Sequence, residues 1–272
     1  MKRLLLLATA FVLLSAMGHA DDKIGIVLMH GKQGVPLGQT GLVENKTPMG
    51  ARLVADLKDA GYLIAQPEMC WSRRRGLDKT FDECLAEIDV AVADLQRRGA
   101  TRIVVGGQSQ GGNAAIAYGA RHPELTGIIG MAPADDPTPK LRRSEIRSAV
   151  AKAQRLVAEG KGDERADFDD VNTGANGTFS ITITTTPNIY LSFYAPDSSA
   201  VMPPNAARLQ MPLLWIAGDD DPSQRGGPSY AFDKAPPNPL NRYVKIHATH
   251  LGTPDVGRQA ILAWLSEFAK AH

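Results

Sequence analysis

The sequence predicts an α/β fold: a compact, mostly parallel sheet of about six strands with helices on both faces and an inserted cap. Three observations carry this expectation. Six short apolar or β-branched runs bounded by Gly and Pro recur at Ile24–Met29, Tyr62–Ala65, Arg102–Gly106, Thr126–Met131, Leu213–Ala217 and Arg242–His247, which is how buried strands read. Helical periodicities lie between most of them, and regular alternation of strand and helix implies a parallel sheet covered on both faces. The alternation breaks once, between Ala134 and Gln210, a segment longer than a connection between neighbouring strands needs.

The chain of 272 residues opens with Lys2 and Arg3, an apolar run from Leu4 to Leu14, and Gly18-His19-Ala20 ahead of Asp21. That is the pattern of a secretory signal peptide over residues 1–20, cleaved near Ala20, with 21–272 as one domain in a secreted or periplasmic protein. The run is too short for a membrane span, and no later stretch approaches the roughly 18 uninterrupted apolar residues that a span requires. The first strand runs directly into "HGKQG", His30 to Gly34. A helix over Gly50–Ala60 and the strand Tyr62–Ala65 follow, then "CWSRRRG", then a helix over Phe81–Arg98 with Leu85, Ile88, Val92 and Leu95 on one stripe. The strand Arg102–Gly106 leads through "GGQSQGG" to a helix over Gly112–Arg121. In the expected cap, about residues 135–210, Leu141–Glu159 carries Ile146, Ala149, Val150 and Ala153 at helical spacing. The polar "GKGDERADFDD" reads as a connection, and Phe179, Ile181 and Ile183 alternate with Ser and Thr as in a half-exposed strand. The last two strands are followed by "GDDDP" and "ATHLGTP", and a closing helix is expected over Val256–Lys270.

Formal charge is +1 for the whole chain. Residues 1–20 hold two basic and no acidic side chains, so the remainder sits near −1. Bulk electrostatics therefore gives no attraction to nucleic acid or to a membrane surface. The two cysteines, Cys70 and Cys84, are expected to form a disulfide because the exported chain meets an oxidising compartment; two buried free thiols are the alternative, and a metal site needs more ligands than this pair supplies.

The chemistry concentrates around Ser109. A serine on a sharp strand-to-helix turn needs small residues two before and two after it, and Gly107 and Gly111 occupy those places. With 26 glycines in the chain the pattern alone is weak. Its setting, after a strand and opening a helix, is what the turn demands. An unassisted hydroxyl is a poor nucleophile at neutral pH and requires a base and a group that orients the base. Asp219, Asp220 and Asp221 lie at the end of one late strand and His250 in the loop after the next. All would stand beyond the carboxyl ends of parallel strands, where open α/β sheets bind ligands. His247 is a competing base at the end of its strand. His122, at a helix end before Pro123, fits a structural role beside the negative end of the helix dipole.

Taken together, "GGQSQGG" after a strand, the "HG" loop, and the order Ser, Asp, His resemble the α/β-hydrolase superfamily over essentially the whole chain beyond residue 20. The resemblance implies a Ser-His-Asp triad of Ser109, His250 and Asp221, since the acid there usually falls three residues after the glycine ending its strand. Asp219 and Asp220 remain the alternatives. It also implies backbone N–H donors to an oxyanion at Gln110 and Lys32, and a loop-shaping role for His30. The two antiparallel strands that often open the family fold are missing here. In "CWSRRRG", Trp71 and Arg73 are candidates for substrate contact at the mouth of the site, against the plainer reading of a solvated charge run over a packed Trp71.

The function expected is an exported carboxylic-ester hydrolase acting on a small molecule through an acyl-enzyme on Ser109, with no metal or organic cofactor. An acyltransferase using the same acyl-enzyme and a non-catalytic binding protein on a hydrolase shell are the alternatives. The second gives no reason to keep all three chemical groups at the right strand ends.

Overall fold

The structure is a computed structural model that describes residues 23–174 and 176–269. The expected signal peptide, residues 1–20, lies outside the described residues. Among those described, no helix is long and apolar enough to cross a membrane.

In chain order the elements are β1 (Ile24–Met29), β2 (Val43–Glu44), β3 (Thr47–Pro48), α1 (Ala51–Asp59), β4 (Leu63–Ala65), α2 (Phe81–Arg97), β5 (Arg102–Gln108) and α3 (Gln110–Gly119). They continue with β6 (Gly127–Met131), α4 (Pro137–Lys140), α5 (Ser144–Ala158), β7 (Ala166–Gly174), β8 (Gly177–Thr185), α6 (Pro187–Tyr194) and α7 (Met202–Ala206). The chain closes with β9 (Leu213–Gly218), β10 (Arg242–Ile246), α8 (Thr253–Val256) and α9 (Arg258–Ala269). Six strands form one sheet in the order β10-β9-β6-β5-β1-β4, every neighbouring pair parallel.

Alternation along the central strands builds two cores. Val27 and Met29 of β1, Val105 of β5 and Trp215 of β9 join α2, α3 and the cap on one face. Ile26 and Leu28, Val104, and Leu214 and Ile216 join α1 and α9 on the other. A sheet covered on both faces gives the near-continuous apolar strands seen in the sequence. Thr80 and Glu83 form a reciprocal capping box that starts α2. Helix α1 has no cap of its own and borrows one: the Asp255 carboxylate accepts from the backbone N–H groups of Gly50, Arg52 and Leu53.

The structure corrects the expected elements in four places. The closing helix is divided at Gly257 into α8 and α9, and a Cβ there would lie 2.7 Å from the Thr253 carbonyl and 2.9 Å from Ile216. Helix α3 starts at Gln110, two residues before the expected Gly112, directly after the serine. The loop after β1 contains the small β2–β3 hairpin, turned by Asn45 and Lys46 at φ 49° and 65°. The polar segment read as a connection contains β7, paired antiparallel with β8 from Ala166↔Thr185 to Gly174↔Gly177. Its inward side carries Phe168 and Asp170, and the buried carboxylate hides the alternation that would have marked a strand.

Cys70 and Cys84 form a disulfide, with Cα atoms 5.7 Å apart, that ties the loop after β4 to the first turn of α2. A closed loop of this size stabilises by roughly 3 kcal/mol in the chain-entropy view. Unreduced protein is therefore expected to show no alkylatable thiol by mass spectrometry. The Cys70→Ser/Cys84→Ser variant is expected to lose about 3 kcal/mol of unfolding free energy in a urea titration. Two thiols reactive without reduction would contradict the pairing.

Candidate active site

The turn between β5 and α3 holds Ser109 at φ 56° and ψ −118°, a conformation that a non-glycine residue keeps only where its surroundings enforce it. Those surroundings are backbone. A Cβ at Gly107 would fall 2.8 Å from the Cα of Gly111, and a Cβ at Gly111 would fall 2.7 Å from the His30 carbonyl. Both positions admit only glycine, which accounts for the spacing around the serine. The loop after β1 closes on the same point, since a Cβ at Gly31 would stand 3.0 Å from the Cβ of Ser109.

His250 and Asp221 are positioned by β9 and β10. The backbone ladder continues past both strands, with Asp219 N–H donating to Ile246 and Asp220 N–H to Ala248, and Gly218 is packed against the Ala248 carbonyl with no room for a side chain. This brings the two loops side by side. His250 Nε2 is 2.9 Å from Ser109 Oγ, and His250 Nδ1 is 2.6 Å from Asp221 Oδ2. The other Asp221 oxygen accepts the Ser223 N–H at 2.8 Å. All three side chains are buried, and Ser109 reaches a cavity of about 760 Å³ between the sheet and the cap.

The alternatives left open by sequence fall elsewhere. Asp219 and Asp220 gather with His247, whose Nδ1 is 3.1 Å from Asp219 Oδ1, in an exposed group with no contact to Ser109. His30 is buried and its pKa is lowered, chiefly by desolvation. Its Nε2 accepts from Met69 N–H and its Nδ1 lies 2.7 Å from the Gly31 carbonyl, so the neutral ring shapes the loop. The N–H of Lys32 makes no hydrogen bond among the described residues, and Gln110, as first residue of α3, has no intrahelical acceptor. Trp71 and Arg73 are not among the residues lining the Ser109 cavity. Trp71 is buried, its Nε1 donating to the His30 carbonyl, and Arg73 is an exposed side chain beside it.

Two features escaped the sequence. Gln108, inside the quoted motif, donates its amide to the His250 carbonyl at 3.0 Å and thereby ties the histidine loop to the serine turn. The second is a buried ionic cluster. Lys32 Nζ pairs with Asp135 at 2.7 Å and with Asp170, and Lys140 Nζ pairs with Asp135 at 2.5 Å and Asp170 at 2.6 Å. Tyr194 adds a hydrogen bond to Asp170 at 2.8 Å. Burial alone would lower the Lys32 pKa, but the two carboxylates raise it above the ordinary lysine range. Burial alone would raise Asp135 and Asp170, but Lys140 and Lys32 bring both below the ordinary range. The partners are separated by up to 138 positions in sequence, so no local pattern announces them.

Residues 72–246 match the family Hydrolase_4, described as serine aminopeptidase, S33. Among curated proteins no match is found. Similar solved structures include one described with LipS and LipT, two metagenome-derived lipolytic enzymes, at 18% identity and TM-score 0.63, covering 92% of this chain and 95% of that one. A monoacylglycerol lipase from Paleococcus ferrophilus is similar at 18% identity and TM-score 0.62, covering 89% and 94%. Est1E from Butyrivibrio proteoclasticus, with ferulic acid bound, is similar at 15% identity and TM-score 0.58, covering 90% of each chain. At these identities the likeness is one of fold.

Removing one member of a buried ion pair leaves an uncompensated charge and costs about 3–5 kcal/mol. Lys32→Met is expected to lose that much stability in urea at pH 7. Lys32→Met/Asp170→Asn is expected to recover part of it, because the excess charge goes with the second substitution. The carboxylates' contribution is complete above their unfolded pKa near 4 and is lost as pH falls through their depressed folded values, so the Lys32→Met deficit should shrink in acid. Equal stability of Lys32→Met and wild type at pH 7 would contradict the cluster.

Proposed function

The chain belongs to the Hydrolase_4 family of the α/β-hydrolase superfamily, and from that membership we propose that it hydrolyses a carboxylic ester through an acyl-enzyme on Ser109. The observation that carries the proposal is the unbroken hydrogen-bonded chain from Asp221 through His250 to Ser109, buried on the protein side and opening to a cavity on the other. His250 Nε2 takes the hydroxyl proton as Ser109 Oγ attacks the carbonyl carbon. Asp221, already holding Nδ1, fixes the tautomer and stabilises the imidazolium that forms. The carbonyl oxygen gains its charge against the N–H groups of Gln110 and Lys32. Collapse of the tetrahedral intermediate expels the alcohol, which takes the proton from His250. Water then enters, His250 deprotonates it, and the same steps release the acid and restore Ser109. The Cys70–Cys84 disulfide and the amino-terminal leader pattern support an exported protein, with 21–272 as the working domain.

A fluorophosphonate probe is expected to label Ser109, and Ser109→Ala to abolish labelling; labelling that persists would place the nucleophile elsewhere. Asp221→Asn is expected to lower kcat on p-nitrophenyl esters by about 10⁴-fold with the thermal transition retained. Asp219→Asn and Asp220→Asn, whose carboxylates face His247, are expected to stay within about tenfold of wild type, on the order of 1 kcal/mol in the barrier. If one of these is the crippled variant and Asp221→Asn is not, the acid is misassigned.

A further inference from the structure

The cavity that Ser109 opens into is unevenly charged. Two of its lining residues, Asp135 and Lys140, neutralise each other inside the buried cluster. A third, Asp136, is engaged by the backbone N–H groups of Thr138 and Met202. What remains on the wall is cationic: Arg142 and Arg143 from the cap and Arg225 from the loop after β9. Arg143 has a loose contact with Glu145 at 3.4 Å. Arg142 and Arg225 have no carboxylate partner among the described residues. Arg142 comes from the inserted cap and Arg225 from the loop after β9, yet both line the space into which the nucleophile points.

We propose that this cavity selects an ester bearing a carboxylate, seated by Arg142 and Arg225 while the ester carbonyl meets Ser109. The inference rests on the nucleophilic role of Ser109 and adds the substrate class. A planar guanidinium donates two parallel hydrogen bonds to a carboxylate, so a pair of free arginines fixes position as well as charge. Both aspartates among the described lining residues are already engaged, so neither is free to receive a cationic group. A substrate with a free α-ammonium would face like charge. The volume, about 760 Å³, lies within the range of small-molecule sites and leaves room for both ends of such an ester.

The test compares matched pairs: p-nitrophenyl hydrogen adipate against p-nitrophenyl hexanoate, and 4-carboxyphenyl hexanoate against phenyl hexanoate. At least one anionic member is expected to exceed its neutral partner about tenfold in kcat/KM, the size that two solvent-facing charge pairs supply. That ratio is expected to fall toward one in Arg142→Gln/Arg225→Gln and with added NaCl, while Arg73→Gln, outside the cavity, keeps it. Circular dichroism verifies the fold of each variant. Ratios at or below one in both pairs, a ratio untouched by the double substitution, or preferential turnover of an aminoacyl p-nitroanilide would overturn the proposal. Should no ester be turned over, the Ser109 reading fails separately, and calorimetric titration with adipate decides this one. Binding lost in the double variant supports the anion site, and absence of binding to wild type overturns it.

Discussion

Everything at the site depends on a backbone contact rather than on a side chain. Where β5 turns into α3, the backbone of Gly111 leaves no room for a Cβ on Gly107, Met29 and the His30 carbonyl leave none on Gly111, and Ser109 between them is held at φ 56°. Such a conformation costs on the order of 1–3 kcal/mol and persists only when the packing over-determines it. The packing does so here, because β5 lies in the middle of a parallel sheet with β1 and β6 on either side. The N–H of Ser109 donates to the Met131 carbonyl at the end of β6, and the Ser109 carbonyl accepts from Gly112, Asn113 and Ala134. The strain is thus distributed over three neighbouring strand ends, and one of them, the end of β1, delivers the loop that holds Lys32.

A second dependence runs outward, from the sheet to the cap. Lys32 has its backbone N–H in the loop beside Ser109 and its side chain in the ionic cluster that also contains Asp135 after β6, Lys140 of α4 and Asp170 of β7. The cap is therefore anchored to the loop whose Lys32 N–H is proposed as an oxyanion donor. Anchoring by ions costs desolvation, which the cluster offsets with two lysines, two aspartates, the Tyr194 hydroxyl and the Val171 carbonyl in mutual contact. Replacing buried ion pairs by apolar residues of similar volume is often neutral or stabilising. In the ionic cluster Asp170 of β7 lies between the Lys32 and Lys140 ammonium groups.

Much of this was legible in the chain of letters, and what was not had a common cause. Apolar runs gave all six sheet strands to within two residues, and the glycine spacing around Ser109 reported a real close approach. The structure also brings together the serine, aspartate and histidine that the order of motifs suggested. The sequence was silent where partners are distant: Gln108 bonding the His250 carbonyl, Asp255 capping α1, and the four charges beneath the cap. A buried Asp170 reads as surface, because pattern analysis assumes that charge means solvent. Trp71 and Arg73 follow β4, the edge strand of the sheet, and neither lines the Ser109 cavity.

The central claim is that the ester's acyl group passes through Ser109. The direct measurement is the mass of the protein quenched in acid during turnover of a p-nitrophenyl ester, with the modified peptide sequenced. The account predicts a fraction of the protein heavier by one acyl group, carried on the peptide containing Ser109, and a matching burst of p-nitrophenol. Steady turnover with no acylated protein at any quench time, or an acyl group on another residue, would contradict it.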